Sequence, residues 1–122
     1  MALADADRIA AARAYVDALV SHDASAVRLD PGCTRIELGV KTGRSGDHIR
    51  RSLEGGPQFK LIHRISDFEA RVDGAVVHTT YYVHVHPKPL GLAARVTESF
   101  DVDDSGAITA IVAGFSVPRR KA

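Results

Sequence analysis

The chain has little sulfur and few aromatics: one cysteine, Cys33, with three Tyr and four Phe among 122 residues. A lone cysteine excludes an internal disulfide and a cysteine-built metal site, and the simplest role for Cys33 is a small buried hydrophobe. So few aromatics, among dispersed basic residues, offer no platform on which bases could stack. A net charge of +1 supplies no field to draw in nucleic acid or an acidic membrane. No basic segment precedes an apolar run near Asp5 and Asp7, and no run is long enough to cross a bilayer. A cytoplasmic protein without nucleic-acid or membrane partners is therefore expected. Gly55-Gly56 lacks the strand–loop–helix setting of a phosphate-binding loop. No Ser or Cys stands in a nucleophile elbow, and neither repeats nor low-complexity segments occur.

What is present fits one domain spanning residues 1–122, with 45% apolar and 25% charged residues, enough for a core without staples. Ile9, Ala12, Val16, Leu19 and Val20 recur at helical spacing and predict a helix over 5–22, with Tyr15 bordering the apolar stripe and Asp5 or Asp7 as its cap. A helical turn is expected over 24–29, ended by Pro31-Gly32. Thr34, Ile36, Leu38 and Val40 alternate as a strand, which sets Glu37 on the opposite face. Ser45 is placed to cap a short helix holding Ile49 and Leu53. Four strands follow over 59–72, 75–86, 92–103 and 107–117, separated by the turn signals Asp73-Gly74 and Asp104-Ser105-Gly106 and by the stiffer His86-to-Gly91 connection. Arg119-Arg120-Lys121 reads as a solvated tail. Helices followed by hairpin-linked strands predict an α+β fold, a curved antiparallel sheet wrapped around the first helix with a pocket between them.

Glu98 carries the most information. In the fourth of the five strands, Leu92, Ala94, Val96, Phe100 and Val102 form one face by alternation, and Glu98 falls among them. A carboxylate aimed at a core must be paired, protonated or useful. His78, Thr80, Tyr82, His84 and His86 share the outward face of the preceding strand. His84 and His86 lack a third metal ligand within reach, since His78 stands about 20 Å away along a strand at 3.3 Å per residue. An exposed or interfacial histidine pair is expected there, and no metal site. His63 falls with Leu61 and Ile65 and is expected to line the pocket.

Three residues carry a family resemblance. Tyr15 lies eight residues before Asp23, Glu37 seven before Arg44-Ser45-Gly46, and Glu98 eight before Gly106 in the last hairpin. With the order of elements, this resembles the nuclear-transport-factor-two-like cone. Within that superfamily the chain is most similar to the ketosteroid isomerase and polyketide-cyclase-like (SnoaL-like) branch. Both carboxyls are Glu where the isomerases have Asp, and Glu37 is followed by Leu38-Gly39 where they have Pro. The resemblance implies that Tyr15 and a protonated Glu98 hold an oxyanion while an ionised Glu37 moves a proton beside a carbonyl. The ligand would be a small apolar ketone, with no metal or organic cofactor required, and such cones often pair through their sheets, so a homodimer is expected. Two rival readings remain. One is an epoxide-opening hydrolase, which needs an Arg between two carboxylates, with Arg64 the candidate. The other is a ligand-binding or dimerisation module without catalysis, with Glu98 locked to a basic neighbour.

Overall fold

A computed structural model of the chain describes residues 3–121. Helix α1 (Asp5–Ser21) is followed by strands β1 (Leu29–Glu37) and β2 (Val40–Gly43), helices α2 (Gly46–Gly55) and α3 (Pro57–Lys60), and strands β3 (Ile62–Asp73), β4 (Val76–Val85), β5 (Leu92–Val102), β6 (Ile108–Phe115) and β7 (Arg119–Arg120). The main path of the sheet runs β2-β1-β6-β5-β4-β3 and does not close; β7 pairs with the start of β5. The α+β expectation holds, with one amendment. The β1–β6 pair is parallel, so the sheet is mixed rather than antiparallel. After the β1–β2 hairpin the chain leaves through α2 and α3 and starts a second sheet segment at the far edge. β6 then returns beside β1, and that long connection permits a parallel neighbour.

Helix α1 buries Ala12, Tyr15, Val16, Ala18 and Leu19 against the sheet, the face anticipated from spacing. Its start differs from expectation. Ala4 occupies the cap position without a side-chain bond, and Asp5 and Asp7 lie in the first turn, where carboxylates favour the positive end of the helix dipole. Arg8, also buried, fastens this end to the last hairpin by donating to the Val102 carbonyl at 3.2 Å and to Asp104 at 2.6 Å. Helix α2 begins as expected, the Ser45 hydroxyl accepting from the His48 amide at 3.0 Å.

Three further differences bear on the site. The segment expected as a helical turn over 24–29 holds only a turn, and β1 begins at Leu29, before Pro31-Gly32. Phe59 belongs to α3, started by Pro57 at its first position, and not to the third strand; proline's fixed φ suits a first helical turn. The C-terminal basic run is not a free tail. Arg119 and Arg120 pair with Ala93 and Leu92 of β5, and Lys121 reaches Asp67 at 3.4 Å and lies over the Tyr82 ring. Among the described residues no helix is long and apolar enough to cross a membrane.

Candidate functional site

Glu98, Tyr15 and Glu37 line one cavity of about 510 Å³ between α1, α3 and the inner sheet face. β5 alternates as read: Ala94, Val96, Glu98, Phe100 and Val102 are all buried. Glu98 is only 4% exposed. Its hydrogen-bond partner is Tyr81 of β4, not Tyr15; the Tyr81 hydroxyl donates a short hydrogen bond to Glu98 Oε1. Tyr81 lies on the inward face of its strand with Val77 and Val83. Burial pushes the Glu98 carboxyl from an ordinary value of 4.5 up to about 8; the Tyr81 bond opposes that rise and the charge of Glu37 adds to it. Glu98 is thus a neutral acid at pH 7, not a carboxylate locked to a basic neighbour.

Tyr15 takes part differently. Its ring packs edge-on against Phe100, with centroids 5.2 Å apart, and its hydroxyl oxygen accepts from Arg35 Nη1 at 3.2 Å. Burial and the neighbouring Glu98 raise its pKa beyond the ordinary phenol value, and burial followed by Glu98 does the same for Tyr81. Both phenols therefore keep their protons. With Arg35 on its oxygen, the Tyr15 O–H remains free to donate into the cavity.

Arg35 is the residue the sequence reading missed. It is 1% exposed, donates from Nε to Thr42 Oγ1 at 3.1 Å and from Nη2 to the Thr42 carbonyl at 3.2 Å, and lies over the Phe59 ring. Its Nε stands 3.7 Å from Glu37 Oε1. On β1 the inward residues are Cys33, Arg35 and Glu37, while Ile36 faces out. The expectation that Glu37 turns away from the packed face is thereby corrected. The signal was present in the spacing, since Arg35 and Glu37, two apart on a strand, share a face. Gly43 of β2 makes room for this arrangement: a Cβ there would stand 2.5 Å from Ile49 and 2.9 Å from the Arg35 Cβ.

Two other candidates lie elsewhere. Arg64, offered as the arginine between carboxylates, points away from the cavity and stands 3.3 Å from His84 Nδ1. The register shift between Ile62 and Arg64 puts a β-bulge at His63. The ring is thereby set beside His86, with centroids 4.9 Å apart, and outside the cavity lining, because the extra residue re-aims the side chain. Cys33 is fully buried as expected, its thiol pushed up to about 11 by burial and by Asp30. Among the described residues no group of three or more His, Cys, Asp or Glu is arranged to hold a metal ion.

Helices laid into a curved, open sheet with a cavity between them give the chain an NTF2-like fold. It belongs to the family described as "Domain of unknown function (DUF8021)", whose profile matches residues 2–115. No curated protein is matched by the sequence. Among solved structures the chain is similar to an NTF2-like protein of unknown function from Cytophaga hutchinsonii (13% identity, 95% and 93% of the two chains covered, TM-score 0.68). It is also similar to a steroid delta-isomerase from Pseudomonas aeruginosa (13%, 96% and 85%, 0.66) and to an M. tuberculosis LEH-like epoxide hydrolase (25%, 91% and 84%, 0.62).

Proposed function

We propose that the protein binds a largely apolar carbonyl compound and shifts a proton at the carbon beside the carbonyl, as an isomerase or cyclase without a cofactor. The observation that carries this reading is the pair of unlike carboxyls in one apolar cavity: a neutral Glu98 and, beside Arg35, Glu37. Tyr15 and Glu98 donate hydrogen bonds to the carbonyl oxygen as it gains charge. The Glu37 carboxylate takes the proton from the adjacent carbon and, where a neighbouring double bond of the substrate extends the enolate, returns it to the far carbon of that system. Tyr81 holds the Glu98 carboxyl by one oxygen. Arg35 orients Tyr15 and Glu37, and is a positioning residue.

A second reading has a specific observation in its favour. Arg35 supplies the arginine near both carboxyls that epoxide opening requires: Glu98 would give its proton to the epoxide oxygen while Glu37 takes one from the attacking water. Likeness to the M. tuberculosis LEH-like epoxide hydrolase supports keeping it. One experiment separates the two. Cyclic and alkyl ketones are incubated in D₂O, and their epoxide analogues in ¹⁸O-water, both followed by mass spectrometry. Deuterium entry beside the carbonyl that drops 10²-fold or more in Glu37→Gln supports proton shift, on the usual scale for a lost general base. Labelled diol without deuterium exchange would establish the hydrolase instead.

The reading includes a homodimer through the outer sheet face. The ground expected for it around Tyr82 and His84 is partly covered by Lys121 and Arg64. The open part is a shallow groove of about 690 Å³ whose lining includes Thr80, Thr97, Ser99, Val112 and Gly114. Sedimentation at micromolar concentration gives twice the monomer mass if copies pair there.

A further inference from the structure

The cavity is graded from end to end. Three of its polar groups, Tyr15, Tyr81 and Glu98, are among its most buried residues, and the walls beside them are apolar, including Val83, Ala94 and Val96. At the other extreme, four lining residues are large, apolar and open to solvent: Leu38 is 59% exposed, Leu61 53%, Phe115 46% and Val117 73%. Single exposed hydrophobics need no explanation, but these four come from three separate parts of the chain. Leu38 sits in the β1–β2 turn, Leu61 ahead of β3, Phe115 ends β6, and Val117 lies in the short segment between β6 and β7. They converge on one cavity, and half of the eight exposed large hydrophobics among the described residues stand there.

We infer that the ligand is amphipathic and longer than the buried part of the cavity: a carbonyl head at Tyr15 and Glu98, and an extended apolar tail that leaves past Val83 and Val96 to lie against Leu38, Leu61, Phe115 and Val117. The inference rests on the ligand class proposed above and extends it from a small ketone to a lipid-like one. The rim is continuous with the apolar walls, so a tail following them meets it without turning into water. Each methylene removed from water strengthens binding by about fourfold, so the rim converts tail length into affinity. The exposed lining residues carry no charge, and Gln58 and Ser116 are the polar side chains among them.

The test uses straight-chain methyl ketones with tails from about six to about fourteen carbons, a range over which each added methylene should still count, with binding followed by calorimetry on the full chain. Affinity is expected to keep rising through the longer members. In a Leu61→Ser, Val117→Ser variant the loss should grow with tail length, reaching tenfold or more for the longest ketone. An affinity that levels off once the buried walls are covered, or a loss equal at every length, would overturn the inference. So would a variant that changes sedimentation or vesicle binding while long-tail affinity stays the same, since the rim would then serve a second copy or a membrane. Binding requires no proton transfer, so deuterium exchange in the same samples keeps the two proposals apart. Length-dependent affinity without exchange refutes only the catalysis, and exchange without length dependence refutes only the lipid-like ligand.

Discussion

Strands β5 and β1 each aim a glutamate into the same cavity, yet they present opposite patterns. On β5 the apolar alternate residues face inward and carry Glu98 with them. On β1 the inward residues are Cys33, Arg35 and Glu37, and the apolar Ile36 faces out at 37% exposure, opposite Val112 of β6 in the parallel register. Alternation states which residues share a face; it does not state which face is inside. β5 is flanked by β4 and β6 over a core, where burying apolar surface decides the matter. β1 lies near the sheet's edge, where Phe59, Thr42 and Tyr15 satisfy a buried guanidinium. There a paired charge can displace apolar residues from the interior.

That contrast breaks most sharply at Arg35. Replacing it by Ala leaves Glu37 without its counter-charge and the Tyr15 oxygen without its donor in a mostly buried setting. A loss of about 3–5 kcal/mol is expected in urea unfolding, the usual cost of breaking one half of a buried pair. For a domain of this size that is a large part of the total stability. An Arg35→Met, Glu37→Gln double variant should recover most of it, because no lone charge remains. A loss below about 1 kcal/mol in Arg35→Ala, the range of exposed pairs, would show that β1 does not hold its charges inside.

The second effect is smaller and depends on pH. The folded pKa of Glu98, about 8, exceeds its ordinary 4.5. Below 4.5 the acid is protonated in both states and adds no slope. Between those values the unfolded chain gives up a proton that the folded chain keeps, so stability falls as pH rises, by on the order of a few kcal/mol across the window, and then levels off. Glu98→Gln should abolish this slope and be the more stable protein at pH 8, while keeping an acceptor for Tyr81. Activity of the unchanged protein should decline as pH passes through about 8, when the Glu98 proton is lost. Parallel stability curves for the two proteins between pH 5 and 8 would mean that Glu98 is ionised in the fold, and the oxyanion role would fall with it.

Much of this architecture was legible in the chain. The spacing of Ala12, Val16 and Leu19 fixed the helix face, Asp73-Gly74 and Asp104-Ser105-Gly106 marked hairpins, and the period of two on β5 exposed Glu98 as a misfit. Three features were not legible, each for a physical reason. Tyr81 has the period of a core residue, because a phenol and a phenyl ring alternate alike on a strand, and only the contact with Glu98 distinguishes a donor from a filler. The bulge at His63 adds one residue to β3 relative to β4, and such an insertion leaves no mark in composition. The parallel β1–β6 pairing joins segments about seventy residues apart, and such non-local contacts leave no local signature.

The smallest expected effect tests the outward half of the comparison. Ile36 and Val112 stand opposite each other on adjacent strands and face away from the cavity. In an isolated molecule both side chains already meet water, so Val112→Thr, which keeps the β-branched shape a strand favours, should change stability by less than about 0.5 kcal/mol, as surface substitutions generally do. The same substitution places a hydroxyl at the groove through which copies are proposed to pair. There it must be desolvated on association, and an unpaired buried hydroxyl costs about 1–3 kcal/mol. In a symmetric pair each copy contributes the same residue, so the penalty is paid twice. Unchanged unfolding at low protein concentration combined with weaker association by sedimentation would therefore locate the interface on this face. A marked loss of stability at a concentration where the chain is monomeric would mean instead that Val112 is packed from within, and that β1 and β6 present the same side to the core as β5 does.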